Sequence, residues 1–169
     1  MSVYRGTAHV FGDNVDTDRI IAGKYTKTLN VSDLAAHVME DIDPDFSKRV
    51  KEGDIMAAGS NFGAGSSREQ APLALQAAGT AAVVAGSFAR IFFRNAINIG
   101  LPVIEIGEHE IETGHQIEVD LERGWVKDLT ANRSYPISKI PAVMVDILNA
   151  GGLVNYLREN GDYILADPH

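Results

Sequence analysis

The chain has 169 residues, 45% hydrophobic and 22% charged, with a formal net charge of -8 and no cysteine. That length fits one domain of roughly 100 to 200 residues, so residues 1–169 are expected to fold as a single domain that buries its core without covalent staples. The acidic balance argues against a nucleic-acid or anionic membrane surface, the apolar runs fall short of the ~18 residues of a membrane span, and the lack of cysteine excludes disulfides, thiolate nucleophiles and any cysteine-ligated metal or cluster carried by this chain alone.

The N-terminal MSVYRGTAHVF has neither the basic patch nor the apolar run of a secretory signal, and a cytoplasmic location is the expectation. Tyr4 to Phe11 reads as an opening strand that ends in the turn-rich loop GDNVDTDRI. A helix is predicted from Ser32, its N-cap candidate, through LAAHVMED, with Asp43-Pro44 closing it. After a polar stretch from Asp45 to Gly53, the run DIMAAG reads as a buried strand leading into a glycine-rich loop. Pro72 to Ala78 is helical in propensity and stops at Gly79. AAVVAG is a strand, Ser87 a cap, FARIFFRNAINIG a helix and LPVIEI a further strand, which together indicate a parallel unit. On that helix Phe92 reads as core, and Arg90 and Arg94 as a helix face or subunit interface. From Gln116 the alternation of QIEVDL and WVKDL around Glu122-Arg123-Gly124 signals an antiparallel hairpin. A C-terminal helical region, PAVMVDILNAGGLVNYLREN, breaks at Gly151-Gly152. The sum is an α/β fold with a mixed, partly parallel sheet.

Chemistry concentrates in the loop GSNFGAGSSRE. Gly59, Gly63 and Gly65, leading through Ser66, Ser67 and Arg68 into a helix, offer backbone N–H groups and a helix N-terminus to an anion. The loop lacks the lysine of a nucleotide-phosphate loop, and Arg68 stands where a dinucleotide fingerprint has its third glycine. Ser66 and Glu69 also have the spacing of a capping box, which gives the serine a purely structural alternative. The five histidines, His9, His37, His109, His115 and His169, show no metal-ligand spacing, so no metal site is expected in this chain.

GSNFGAGSSREQAP resembles the signature of the small subunits of isopropylmalate dehydratase and homoaconitase and of the swivelling domain of aconitase. AGSFARIFFRNAINIGLP and GDNVDTDRIIAGKY look like further segments of the same family, in the same order. The resemblance implies a single swivelling β/β/α domain, as in the aconitase C-terminal domain. It also implies a hydro-lyase that moves a hydroxyl between adjacent carbons of a 2-hydroxy diacid, here between 2- and 3-isopropylmalate through isopropylmaleate. Homoaconitase, citraconate or methylmalate hydratase and dimethylmalate dehydratase are alternatives within that chemistry. A non-catalytic anion-binding module is the alternative outside it. The implied partner is a large subunit carrying an iron-sulfur cluster of the 4Fe-4S type, with no cofactor on this chain and a small dicarboxylate as substrate.

Carried over by position, Ser66 is the expected base, and Ser67 and Arg68 the expected carboxylate contacts, with Gly63 and Gly65 shaping the substrate-binding loop. Asp18, in the segment Asp16-Thr17-Asp18, is expected to orient a group of the large subunit, an Asx-turn being the structural alternative. The segment Gly23 to Thr28 looks like the loop that selects substrate. Its Lys27 departs from the arginine of some relatives and the apolar residues of others, and is either a substrate contact or an ordinary solvated lysine.

Overall fold

The computed structural model describes residues 3–27 and 30–160; Thr28, the end of the expected substrate loop, and His169 lie outside them. Four strands run parallel: β1 (Val3–Val10), β2 (Ile55–Ala58), β3 (Ala82–Ala85) and β4 (Val103–Glu105). Three more run antiparallel: β5 (Gln116–Asp120), which pairs with β1, then β6 (Trp125–Asp128) and β7 (Arg133–Pro136). All seven make one mixed sheet in the order β4-β3-β2-β1-β5-β6-β7. Strand β7 escaped sequence reading because RSYP shows no apolar alternation and sits at an exposed edge ending in proline.

Alternation along the parallel strands divides the core in two. Ile55 and Ala57 of β2 point to one face, where Ile117, Val119 and Val126 of β5 and β6 meet Ala82, Val84 and Ile104, so the antiparallel half curls over the parallel half. Met56 and Ala58 point to the other face, which the helices cover with Leu75, Phe92 and Ile97. This is the β/β/α layering that the resemblance implies. At ~1.5 to 3 kcal/mol for each large apolar side chain buried, both faces contribute heavily to stability.

The helices are α1 (Thr17–Ile20), α2 (Val31–His37), α3 (Phe46–Arg49), α4 (Gln70–Ala77), α5 (Arg90–Asn98), α6 (Ala142–Ala150) and α7 (Leu153–Asn160). Helix α2 differs from expectation at both ends. Its cap is Asn30, whose side chain accepts from the Ser32 N–H, and it stops at His37, well before Asp43. The chain turns extended at Val38 and Met39 takes φ 60°, because the Met39 N–H donates to the Ile20 carbonyl (2.8 Å) and its side chain is fully buried. A tertiary contact overrides helix propensity there.

Helix α4 begins at Gln70 with Glu69 as its N-cap and no capping side chain, so the capping box of Ser66 and Glu69 does not form. Pro72 falls in the first turn, where its missing N–H leaves no intrahelical bond unmade. Ser87 does not cap α5 either. Its Oγ accepts from the Asn61 N–H (2.8 Å), and Ala89 is the cap residue. The break between α6 and α7 falls where the sequence places it, with Gly151 at φ 90° and Gly152 at φ 126°.

Candidate active site

Three connections leave the C-terminal ends of β1, β2 and β3 side by side, where open parallel sheets present ligands. They are joined as a continuation of the sheet. The Gly59 N–H donates to Gly12 (3.1 Å), Asn14 to Ser60 (2.8 Å), Gly63 to Val15 (2.7 Å) and Thr17 to Ala64 (2.8 Å), tying the first loop to the glycine-rich one. On the other side Phe62 donates to the Ser87 carbonyl (3.0 Å) and Ala89 to the Phe62 carbonyl (2.9 Å). The three motifs read separately from the sequence therefore form one surface.

A cluster of rings supports the loop from below. Phe62 is fully buried, edge-on to Phe92 (centroids 5.3 Å apart) and to Phe88 (6.0 Å). Gly63 crosses directly over Phe92 at φ 84°, and a Cβ there would lie 2.7 Å from Phe92 Cδ1 and nearer still to other atoms of that side chain. Gly65 also needs a positive φ, 97°, but a Cβ on it would meet only ordinary contacts at 3.5 Å, to Asp16 and Thr17. Both glycines thus have a backbone reason to be present, and Gly63 a packing reason as well.

Past Gly65 the chain rises into solvent. Ser66 and Ser67 are exposed, and among the described residues the amides of Gly65, Ser66 and Ser67 meet no protein acceptor. Ser66 lies four residues before the first turn of α4, so the loop, and not the helix end, supplies its surroundings. What fixes Ser66 is Thr17, which is 2% exposed. Its hydroxyl donates to the Ser66 carbonyl (2.8 Å) and sits 3.4 Å from Ser66 Oγ. Thr17 was passed over in the sequence in favour of its charged neighbours, and only its burial distinguishes it.

Asp16 caps α1 through its side chain, accepting from the Arg19 N–H (2.9 Å), as an Asx-turn would. Asp18 is exposed and forms an ion pair with Arg68, whose guanidinium also donates to the Ile21 carbonyl (3.0 Å). Arg68 is thereby held by two partners in the first loop and lies close against Gly23. Asp18, expected to orient a group of the large subunit, pairs with Arg68 and stays largely exposed.

The surface encloses a cleft of about 430 Å³, within the size range of small-ligand sites. One wall is Gly63 and Gly65 to Arg68 with Thr17; the other is the first turn and a half of α5, including Arg90, Arg94 and Asn95. The two arginines read from the sequence as a helix face or interface thus line the same cleft as Ser66. Lys27 is not part of this wall and is exposed beyond the tight turn Gly23–Tyr25. That turn is anchored by Tyr25, which stacks on His37 (3.9 Å, 5°). Glu40 accepts from His37 Nδ1 (2.8 Å), which holds its carboxyl below the ordinary value, and the Tyr25 hydroxyl is pushed up chiefly by its hydrogen bond to Glu40.

The cysteine ligands of the iron-sulfur cluster that the resemblance implies would have to come from another polypeptide. There is no cysteine, and among the described residues no three His, Asp or Glu side chains gather where they could hold a metal ion.

A β/β/α fold with a glycine-rich loop spliced to the strand ends defines a swivelling domain of the aconitase type: the family model described as the aconitase C-terminal domain matches residues 4–109, and the chain belongs to that family. Its relatives are narrower in name. It is 55% identical to the 3-isopropylmalate dehydratase small subunit of Aquifex aeolicus, over 92% of this chain and 95% of the relative. It is 52% identical to a 3-isopropylmalate dehydratase small subunit of Archaeoglobus fulgidus, over 93% of this chain and 96% of the relative. The crystal structure of a 3-isopropylmalate dehydratase from Methanocaldococcus jannaschii superposes with a TM-score of 0.90 at 47% identity, covering 97% of this chain and 98% of that one.

Proposed function

We propose that this chain works as the small subunit of 3-isopropylmalate dehydratase, a cytoplasmic hydro-lyase of leucine biosynthesis, folded as one swivelling domain that completes the active site of a large subunit. The observation that carries the reading is the placement of Ser66. It is held by buried Thr17 on the lip of a cleft, in a chain that matches small subunits of this enzyme along nearly its whole length.

In the dehydration, Ser66 Oγ takes the proton from the carbon next to the one bearing the hydroxyl. The C–H electron pair becomes the new C=C bond, the C–O bond breaks and hydroxide departs, giving isopropylmaleate. Rehydration returns the proton from Ser66 to one carbon of the double bond and adds hydroxide to the other, with the opposite regiochemistry. Assistance to the departing hydroxyl is assigned to the large subunit, whose 4Fe-4S cluster would supply a Lewis acid.

A serine hydroxyl is a poor base at neutral pH, so its alkoxide needs donors fixed in advance. Gly65, Ser66 and Ser67 supply amides without a competing protein acceptor among the described residues. Ser67 and Arg68 take a substrate carboxylate, Arg68 offering a planar fork. Asp18 acts through Arg68 by holding the guanidinium in place. Lys27, exposed beyond the anchored turn, is the residue assigned to the substituent by which alternative diacids differ. The test is anaerobic reconstitution with a matching large subunit. Isopropylmaleate should be hydrated by the mixture and not by this chain alone. A panel including homoaconitate, citraconate and dimethylmalate, run on wild type and Lys27→Ala, should favour isopropylmaleate with wild type and show a changed ranking with the variant. Preference for another diacid would reassign the substrate.

A further inference from the structure

The wall of the cleft opposite Ser66 carries two cations with no assigned task. Arg90 and Arg94 are four residues apart on α5, so they stand one above the other on the same helix face. Both line the cleft and both are exposed, and among the described residues neither guanidinium has an ion-pair or hydrogen-bond partner. Arg68, on the near wall, is already tied to Asp18 and the Ile21 carbonyl.

In a chain of net charge -8, three arginines on a cleft of about 430 Å³ make a local reversal of sign. Two of the three keep all their N–H donors available to an anion. A substrate with two carboxylates, bound at one end by Ser67 and Arg68, presents its second carboxylate across the cleft. Phe92 under Gly63 fixes the spacing of the two walls, since it is 2% exposed and wedged against Phe62.

We propose that Arg90 and Arg94 form a second carboxylate subsite of the same cleft, so that this chain grips the diacid at both ends. The proposal rests on the reading of Ser66 and its loop as the substrate-facing half of a dehydratase. A guanidinium meets a carboxylate through two parallel N–H bonds, which lysine cannot reproduce.

The experiment uses the reconstituted two-subunit enzyme with isopropylmaleate and with its monomethyl ester, for wild type, Arg90→Gln, Arg94→Gln and Arg94→Lys. Both glutamine variants should raise KM for the diacid by about ten- to a hundredfold, the usual effect of losing a charged hydrogen bond, with kcat changed much less. Arg94→Lys should recover only part of the loss. Methylation of the carboxylate that the pair holds should weaken wild type and add little further to Arg94→Gln, because both remove the same interaction. Unchanged KM in both glutamine variants overturns the subsite. A defect that disappears once the large subunit is in excess also overturns it, since the arginines would then serve the subunit interface. Ser66→Ala is run alongside: if it retains full turnover while the arginine variants raise KM, the base assignment falls and the subsite stands.

Discussion

Replacement of Gly63 by alanine isolates how the loop is built. Two independent penalties meet at this position. The φ of 84° is unfavourable for any residue with a Cβ, by roughly 1 to 2 kcal/mol. The new methyl would also lie 2.7 Å from Phe92 Cδ1, and the ring has nowhere to go between Phe62 and Phe88, so overpacking adds about 1 to 3 kcal/mol. Taking the middle of these ranges gives about 3.5 kcal/mol, which for a chain of this size lowers the melting midpoint by roughly 7 to 14 °C. Gly65→Ala is the internal control. Its φ of 97° carries the first penalty, but its nearest neighbours at 3.5 Å allow a methyl without displacement, so the loss should be about 1 to 2 kcal/mol. Thermal and urea unfolding followed by circular dichroism measure both. Equal stability of the two variants, or a more stable Gly63→Ala, would refute the role given to Phe92.

Thr17→Val keeps shape and burial but removes the hydroxyl that donates to the Ser66 carbonyl. In the reconstituted enzyme kcat should fall about tenfold or more while KM stays close to wild type, as expected when a reacting group loses its fixed position; steady-state kinetics would show it. Acid stability should depend on Glu40 and Asp43, both held below their ordinary pKa, Glu40 by the hydrogen bond from His37 and Asp43 by that from Arg49. A lowered folded-state pKa means stability that is present above the unfolded value and lost as pH falls through the folded one. Wild type should therefore lose stability on acidification below the ordinary carboxylate range, and Glu40→Gln with Asp43→Asn should flatten that slope in urea titrations at successive pH values.

Much of the parallel half was legible because β2, β3 and β4 are short buried runs near glycines, a pattern visible without any detail of tertiary packing. DIMAAG, AAVVAG and LPVIEI needed no contact information. Errors fell where tertiary contacts decide. The end of α2 follows from Met39 reaching the Ile20 carbonyl, and Ser87 serves the neighbouring loop and not its own helix. The same division holds at the site. Ser66, Ser67 and Arg68 could be named from one motif, whereas Thr17, Arg90 and Arg94 become visible only when the loops from three strand ends are brought together. A buried threonine between two aspartates carries no signal of its own in sequence, and two arginines on an amphipathic helix look like a solvated face.

The central claim is that Ser66 is the proton-transferring group of a site completed by another polypeptide. The most direct measurement is kcat for isopropylmaleate hydration by the reconstituted enzyme carrying Ser66→Ala, with Ser67→Ala for comparison and large-subunit affinity measured in parallel. Ser66→Ala should lower kcat at least a hundredfold with subunit assembly intact, and Ser67→Ala should show a rise in KM as the larger effect. Turnover by Ser66→Ala within a few-fold of wild type would contradict it.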